Sequence, residues 1–230
     1  MVELSQLEIE ALTLSLRVAA WAVMGGLPLA MAVAWLLARR DFPGKTLVDG
    51  VVHLPLVLPP VVVGYTLLAL FGRNGPIGAW LDALFGVTIA FTWQGAALAS
   101  AVMAFPLMVR AIRLSLEAVD PRLESAARTL GASRTGAFAT ITLPLTGPGL
   151  LTAAILGFAR SLGEFGATIT FVANIPGETR TLPLAIYSLI QQPGGEHGAL
   201  RLAVFAVVLA LLALAGSEVL ARRLRRRVAG

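Results

Sequence analysis

Two charged residues stand alone in an apolar part of the sequence, and they are the first candidates for chemistry. Arg160 and Glu164 are four residues apart, so they can form an ion pair on one face of a helix. Ionisable residues inside a membrane span usually face the bundle interior or a water-filled cavity. Either Arg160 contacts an anion in such a cavity, or the pair is structural. We favour the structural pair, because a site that binds an anion tightly would slow the release of that anion.

Other residue types that commonly carry chemistry are scarce. The chain has no cysteine, which excludes disulfides, thiolate metal sites and a cysteine nucleophile. His53 and His197 have no companion at metal-ligand spacing. The tetrapeptide PGKT, residues 43–46, matches the end of a P-loop, but the position that requires glycine holds Arg39. The sequence therefore predicts no catalytic residue, no cofactor, no metal and no nucleotide-binding site in this chain.

A short segment between two apolar runs has the start and stop signals of a helix. Asp120 is a good N-cap, and Pro121 suits the first turn, where its missing N–H costs nothing. Glu124 lies in that turn, near the positive end of the helix dipole. Gly131 can take the left-handed conformation just after the helix. We expect a helix over about residues 121–130.

The surface of this predicted helix combines small, apolar and basic residues. Its apolar stripe, at i, i+3, i+4 and i+7 spacing, consists of Leu123, Ala126, Ala127 and Leu130. Ser125 is also small, and Arg122, Arg128 and Arg134 supply positive charge. Physical chemistry alone leaves two partners open, an anionic lipid surface and a cytoplasmic protein. After the glycine elbow, we expect a second short helix from Ser133 and a new span that opens at Pro144.

Composition places these elements in a membrane. The chain has 230 residues, of which 57% are hydrophobic and 13% charged, and its mean hydropathy is +0.82. A soluble domain carries roughly twice that charge fraction. The sequence is therefore that of an all-α polytopic membrane protein. Its net charge of +5 indicates the positive-inside rule and not nucleic acid binding.

Apolar runs predict about five transmembrane helices in one membrane domain, residues 11–221. The predicted spans are about 14–38, 50–72, 86–110, 142–172 and 200–221. The fourth is a long helix that we expect to break near Gly163 and Gly166. Residues 114–141 form a cytoplasmic loop, residues 222–230 a basic cytoplasmic tail, and residues 181–192 a short helix on the outer face.

The distribution of Lys and Arg predicts the orientation. With the C-terminus in the cytoplasm, the outer side holds only Arg73, Arg180 and Arg201, with Arg17 at the edge of the first span. Most of the 18 Lys and Arg residues then lie on the inner side. We therefore expect the N-terminus outside and the C-terminus in the cytoplasm.

Prolines interrupt several predicted spans, which membranes tolerate where protein or a water-filled cavity satisfies the freed backbone groups. Pro59 and Pro60 end the cluster LPLVLPP, and three prolines so close together favour a span that lines a pathway.

At this point the sequence resembles a known family. The pattern E-S-A-A-x-x-x-G, followed by I-T-L-P at residues 141–144, is similar to the EAA loop of bacterial ABC importer permeases, with Ser125 in place of the usual alanine. ARSLGEFGAT, residues 159–168, and NIPGETRTLPLAIYSLIQQPGGE, residues 174–196, resemble permeases of molybdate importers in the sulfate/molybdate permease family. ARRDFPGK and LPLVLPPVVVGY fit the same family.

The resemblance implies a type I ABC importer permease fold in the bacterial inner membrane. It implies a homodimer, two copies of a cytoplasmic P-loop ATPase and a periplasmic molybdate-binding protein. The ATPase-coupling helix would comprise Arg122, Leu123, Glu124, Ser125, Ala126, Ala127, Leu130 and Gly131. The candidate pore or dimer-axis residues are Arg160, Glu164, Pro59 and Pro60.

The function expected from this resemblance is ATP-driven import of molybdate, and of tungstate in some members, by alternating access. A sulfate or thiosulfate permease is the alternative within the class. An intramembrane enzyme built on Arg160 and Glu164 and a passive anion channel are alternatives from other classes.

Overall fold

The computed structural model describes residues 5–228, and these residues form helices without a β-strand. The helices are α1 (Gln6–Arg39), α2 (Lys45–Val57), α3 (Pro60–Phe71), α4 (Pro76–Phe85), α5 (Trp93–Glu117), α6 (Pro121–Thr129), α7 (Arg134–Ala137), α8 (Leu143–Leu162), α9 (Gly166–Val172), α10 (Leu182–Ile190) and α11 (Glu196–Val228). A π-helical turn, Phe138–Thr142, joins α7 to α8. Side chains of the predicted basic tail, 222–230, lie outside the described part.

Helix lengths agree with the expected number of spans. α1, α5, the continuous helix from α7 to α8, and α11 are long and apolar enough to cross a membrane. α2 and α3 give a fifth span only when they are counted together, because the helix axis bends by 113° between them. The cause is the pair Pro59 and Pro60, which force Leu58 into an extended conformation and leave Pro60 to start a new helix. The predicted span 50–72 is thus not one straight helix but either a broken span or a re-entrant loop.

The third span begins later than hydropathy indicated. The uncharged run that predicted a helix over 86–110 also covers the end of α4 and an extended linker. Gly86, at φ +63°, ends α4, and the hydroxyl of Thr92 accepts the Gly95 N–H at 3.2 Å and so caps α5. α5 therefore runs from Trp93 to Glu117. Hydropathy averages do not register such caps.

Pro144 lies in the first turn of α8, as predicted, but it does not begin the helix. The helix starts at Arg134 and continues through the π-helical turn into α8. A proline clashes with the carbonyl four residues earlier and donates no hydrogen bond. The wider turn lets the Leu143 N–H donate to the Phe138 carbonyl instead, so the helix passes Pro144 without stopping. The second short helix of the loop is the first part of this span.

α5 lies at the centre of the bundle, packed against α1 on one side and α8 on the other. Small residues allow this close packing, as is common between membrane helices. Met108 on α5 occupies the space beside two glycines: a Cβ on Gly26 of α1 or on Gly157 of α8 would lie 2.7 Å from its side chain. The buried alanines of α1 and α5 are Ala11, Ala19, Ala22, Ala30, Ala34, Ala96, Ala97, Ala99 and Ala104.

α11 is the most peripheral long helix. It contacts α8 and α10 and leaves a broad apolar surface exposed, which includes Val204, Val207, Leu211 and Leu212. An apolar surface of this kind belongs in lipid or against another membrane helix. At its start, Arg201 forms a two-point ion pair with the buried Glu8 of α1, with N–O distances of 2.8 and 2.9 Å. This link between the first and last helices was not predicted.

Candidate functional site

α6 has the structure that the sequence predicts. The Arg122 N–H donates to Oδ1 of Asp120 at 2.9 Å, Pro121 is the first helical residue, and Glu124 lies in the first turn. Gly131 has φ +95°, which confirms the glycine elbow. A Cβ at Gly131 would meet no atom within 4 Å, so the backbone conformation, and not space, demands glycine there.

The apolar stripe of α6 is largely free of contacts within the chain. Leu130 is 90% exposed and Leu123 47% exposed, and no residue of α6 is buried. Ala126 is exposed and Ala127 half-buried. A short helix that presents leucines and alanines to the outside is suited to insertion into a groove of another molecule.

Glu124 fastens α6 to two membrane helices. Its Oε1 lies 3.5 Å from Nη2 of Arg39 in the last turn of α1, and it accepts a hydrogen bond from the Thr142 hydroxyl in the π-helical turn before α8. Arg39 Nη2 also donates to the Val119 carbonyl at 3.4 Å, just before α6. The two halves of the E-S-A-A and I-T-L-P pattern therefore touch each other. The sequence did not predict the ion pair of Arg39 with Glu124, since the two residues are 85 positions apart.

The second cluster of predicted residues lies where α8 ends. Nη1 of Arg160 is 2.7 Å from Oε2 of Glu164, so the predicted ion pair is present. The Glu164 side chain is 1% exposed and that of Arg160 28% exposed. Oε1 of Glu164 accepts the Ala167 N–H at 2.9 Å, so the same carboxylate caps the start of α9. One residue thus neutralises a charge and begins the next helix.

The break between α8 and α9 packs against the break between α2 and α3. α8 ends at Leu162 and α9 begins at Gly166, as the two glycines predicted. A Cβ on Gly166 would lie 2.7 Å from the Cβ of Pro60, and one on Gly64 would lie 2.5 Å from the Ala167 carbonyl oxygen. Both contacts need glycine. The fold thus places Pro60 beside the helix that Glu164 caps, and Pro59 is the exposed residue before it.

A hydrogen-bonded loop holds the opposite end of the bundle together. The backbone N–H of Trp93, at the start of α5, donates to Oε1 of Glu178 at 3.2 Å. The Leu182 N–H donates to the buried Ser15 hydroxyl of α1 at 2.6 Å. Asn174 bridges Arg180 and Ser188 with bonds of 2.9 and 2.7 Å. The predicted short helix over 181–192 is present as α10.

No group of three or more His, Cys, Asp or Glu residues in the described part of the chain is arranged to hold a metal ion. Nδ1 of His53 lies 2.9 Å from the Asp49 carbonyl, an interaction within α2. The ammonium of Lys45, the lysine of PGKT, lies 2.9 Å from the Asp41 carboxylate at the beginning of α2. A helix precedes this turn, where a P-loop follows a strand.

Comparisons with known proteins agree with this arrangement. Residues 26–229 match the family model described as "Binding-protein-dependent transport system inner membrane component". The chain is 63% identical over 220 residues to the molybdenum transport system permease protein ModB of Escherichia coli K12, covering 96% of each chain. Its identity to ModB of Haemophilus influenzae is 60%, again with 96% of this chain covered and 97% of the relative. The sulfate transport system permease protein CysT of E. coli is 41% identical, over 87% of this chain and 72% of that protein.

Solved structures show the same fold at low identity. A bacterial ABC transporter involved in alginate import superposes with a TM-score of 0.76 at 19% identity, covering 96% of this chain and 80% of the other. The methionine ABC transporter MetNI in an inward-facing conformation gives a TM-score of 0.72 at 18% identity, with 96% and 99% covered.

Proposed function

We propose that this chain, which belongs to the family of inner membrane components of binding-protein-dependent transport systems, passes molybdate across the inner membrane. It is a permease subunit and not an enzyme. The observation that supports molybdate as the substrate is the 63% identity to a molybdenum transport permease over 96% of both chains. The sulfate permease CysT is more distant, at 41% identity over 72% of its length.

The energy for transport comes from a partner ATPase that binds α6, the coupling helix. The support for this step is geometric. α6 presents an exposed apolar stripe, while its Glu124 is attached to α1 through Arg39 and to α8 through Thr142. If the ATPase moves α6, the ends of two membrane helices therefore move with it. This is a shared element through which the states of two subunits can be coupled.

The working assembly is two copies of this chain, two ATPases and a periplasmic molybdate-binding protein. A related structure is that of the alginate ABC transporter "in complex with alginate pentasaccharide-bound periplasmic protein", which has this fold at 19% identity. In the expected cycle, ATP closes the ATPases and draws the coupling helices together, and the spans then open outward to accept the anion. Hydrolysis resets them. The breaks beside Pro60 and Gly163 are points at which the spans can bend.

Transport by the reconstituted complex tests this function. Vesicles that contain the permease and its ATPase should accumulate labelled molybdate only with binding protein outside and ATP inside. Flux without ATP would indicate a passive channel. A chemically altered anion would indicate an enzyme. In a strain that lacks the chain, loss of sulfate uptake with unchanged molybdate uptake would reassign the substrate to sulfate.

The orientation is part of the proposal, with the N-terminus in the periplasm. Because the chain has no cysteine, single cysteines report accessibility without background. Ser125→Cys on α6 should react with an impermeant maleimide only after the cytoplasmic side is opened. Gln191→Cys, in the exposed turn after α10, should react in intact cells. The reverse pattern would invert the topology.

A further inference from the structure

An open groove of about 960 Å³ runs along the face where α1 and α5 meet, with α2 on one side. Small residues, Gly25 on α1 and Ala97 and Ala101 on α5, line it, and a Cβ on Gly25 would meet no atom within 4 Å. Nearly all of its other lining residues are apolar. We call it the α1–α5 groove.

The dimensions of the groove match one half of a bilayer. On α5 it extends from Gln94 to Phe105, which at 1.5 Å per residue is about 16 Å. The hydrocarbon core of a bilayer is about 30 Å thick, so one leaflet contributes about 15 Å. α1 and α5 are long and apolar enough to cross a membrane, and the groove walls are almost entirely apolar, so an apolar occupant suits them.

A fixed positive charge lies at one end of the groove. Trp21 and Trp93 line this end, with their rings 6.2 Å apart. The guanidinium of Arg17, one turn before Trp21, sits 3.7 Å from the centre of the Trp93 ring. Arg17 is exposed, and no carboxylate among the described residues forms an ion pair with it. A guanidinium held on an aromatic face keeps its N–H donors available for an anion.

We propose that the α1–α5 groove binds a glycerophospholipid, with an acyl chain along the groove and the phosphate on Arg17. Charge complementarity selects this occupant, because a phosphate joined to a hydrocarbon chain satisfies both the guanidinium and the apolar walls. Tryptophan is at home at the boundary between headgroups and acyl chains, which agrees with the pair Trp21 and Trp93 at this end. With the proposed orientation, the lipid belongs to the periplasmic leaflet.

Native mass spectrometry of the full complex, stripped of lipid in detergent and titrated, tests this proposal. The two probes are phosphatidylglycerol and the diacylglycerol with the same acyl chains, which differ by the phosphate headgroup. Phosphatidylglycerol should bind roughly tenfold more tightly, the usual gain from charge-assisted hydrogen bonds. Equal binding of the two lipids by the unmodified complex would overturn the proposal, and this comparison does not depend on the folding of any variant.

Two variants distinguish the contribution of the Arg17 charge to lipid binding from that of the open groove. Arg17→Gln should abolish the preference for phosphatidylglycerol, while Arg73→Gln, another exposed arginine on the proposed outer side, should keep it. Gly25→Leu should weaken both lipids, because a side chain there enters open space within the groove. Gly216→Leu on α11 also enters open space and serves as its control. If Gly25→Leu instead splits the complex into single permease chains, the groove holds a second copy and the lipid proposal fails. These readouts need no molybdate, so they stand apart from the proposed transport function.

Discussion

Oε1 of Glu124 in α6, the proposed coupling helix, lies 3.5 Å from Nη2 of Arg39 at the end of α1, across 85 residues of sequence. The Arg39 side chain is 17% exposed and that of Glu124 32%, so solvent screens the pair only in part. The Thr142 hydroxyl completes the link to α8. In the proposed function, motion of an ATPase bound to α6 therefore has a direct mechanical route into two membrane helices.

Arg39→Gln should loosen coupling without unfolding the chain. A pair of this exposure contributes about 1 kcal/mol, which corresponds to about a fivefold change in an equilibrium between two coupled states. We expect the ATP hydrolysed per molybdate transported to rise by about that factor in reconstituted vesicles. Arg39→Lys is the charge-conserving control: both contacts of Arg39 are made by one nitrogen, Nη2, so an ammonium that reaches Glu124 should restore much of the coupling. An unchanged ratio in Arg39→Gln would show that this contact transmits nothing.

Gly131→Val should strain the backbone at the end of α6, the proposed coupling helix. A β-branched residue at φ +95° is strained by about 1–2 kcal/mol, although space for the side chain is available. Uptake should fall while the ATPase continues to hydrolyse. Gly131→Asn is the matched control, since asparagine tolerates the left-handed region, and it should transport normally. Equal uptake by both variants would contradict a need for positive φ.

Gly64→Ala should destabilise the contact between the two helix breaks. Its Cβ would lie 2.5 Å from a backbone oxygen of α9, which cannot move aside as a side chain can. Overpacking of this kind costs about 1–3 kcal/mol, so the melting temperature of the purified permease should fall. Gly163→Ala lies at the same break but meets no atom within 4 Å, and its stability should match the parent protein. A similar loss in both variants would argue against the close approach of α3 and α9.

Variants of Arg160 and Glu164 can distinguish a structural role of this ion pair from contact between Arg160 and the transported anion. Arg160→Met leaves a buried carboxylate without its counter-charge, which should cost about 3–5 kcal/mol and reduce the amount of folded permease. Adding Glu164→Gln removes the orphan charge while an amide oxygen can still accept the Ala167 N–H. If the pair is structural, the double variant regains both folding and molybdate uptake. A double variant that folds but does not transport would place Arg160 in the path of the anion.

Much of this protein followed from local sequence. The helical class, about five spans, the cap at Asp120, the elbow at Gly131 and the break at Gly163 depend on hydropathy or on the conformational preferences of single residues. These preferences act over a few neighbouring residues, so they can be predicted from the sequence without knowledge of the fold. The ion pair of Arg160 and Glu164 was predictable for the same reason, since the two residues are only four positions apart.

Tertiary structure decided what the local signals could not. Pro144 had the pattern of a helix start, yet the π-helical turn carried the helix past it. The links from Glu124 to Arg39 and from Gly166 to Pro60 join residues far apart in the chain. Such contacts arise only when packing brings separate helices together, and their energies depend on distances that no residue type specifies alone.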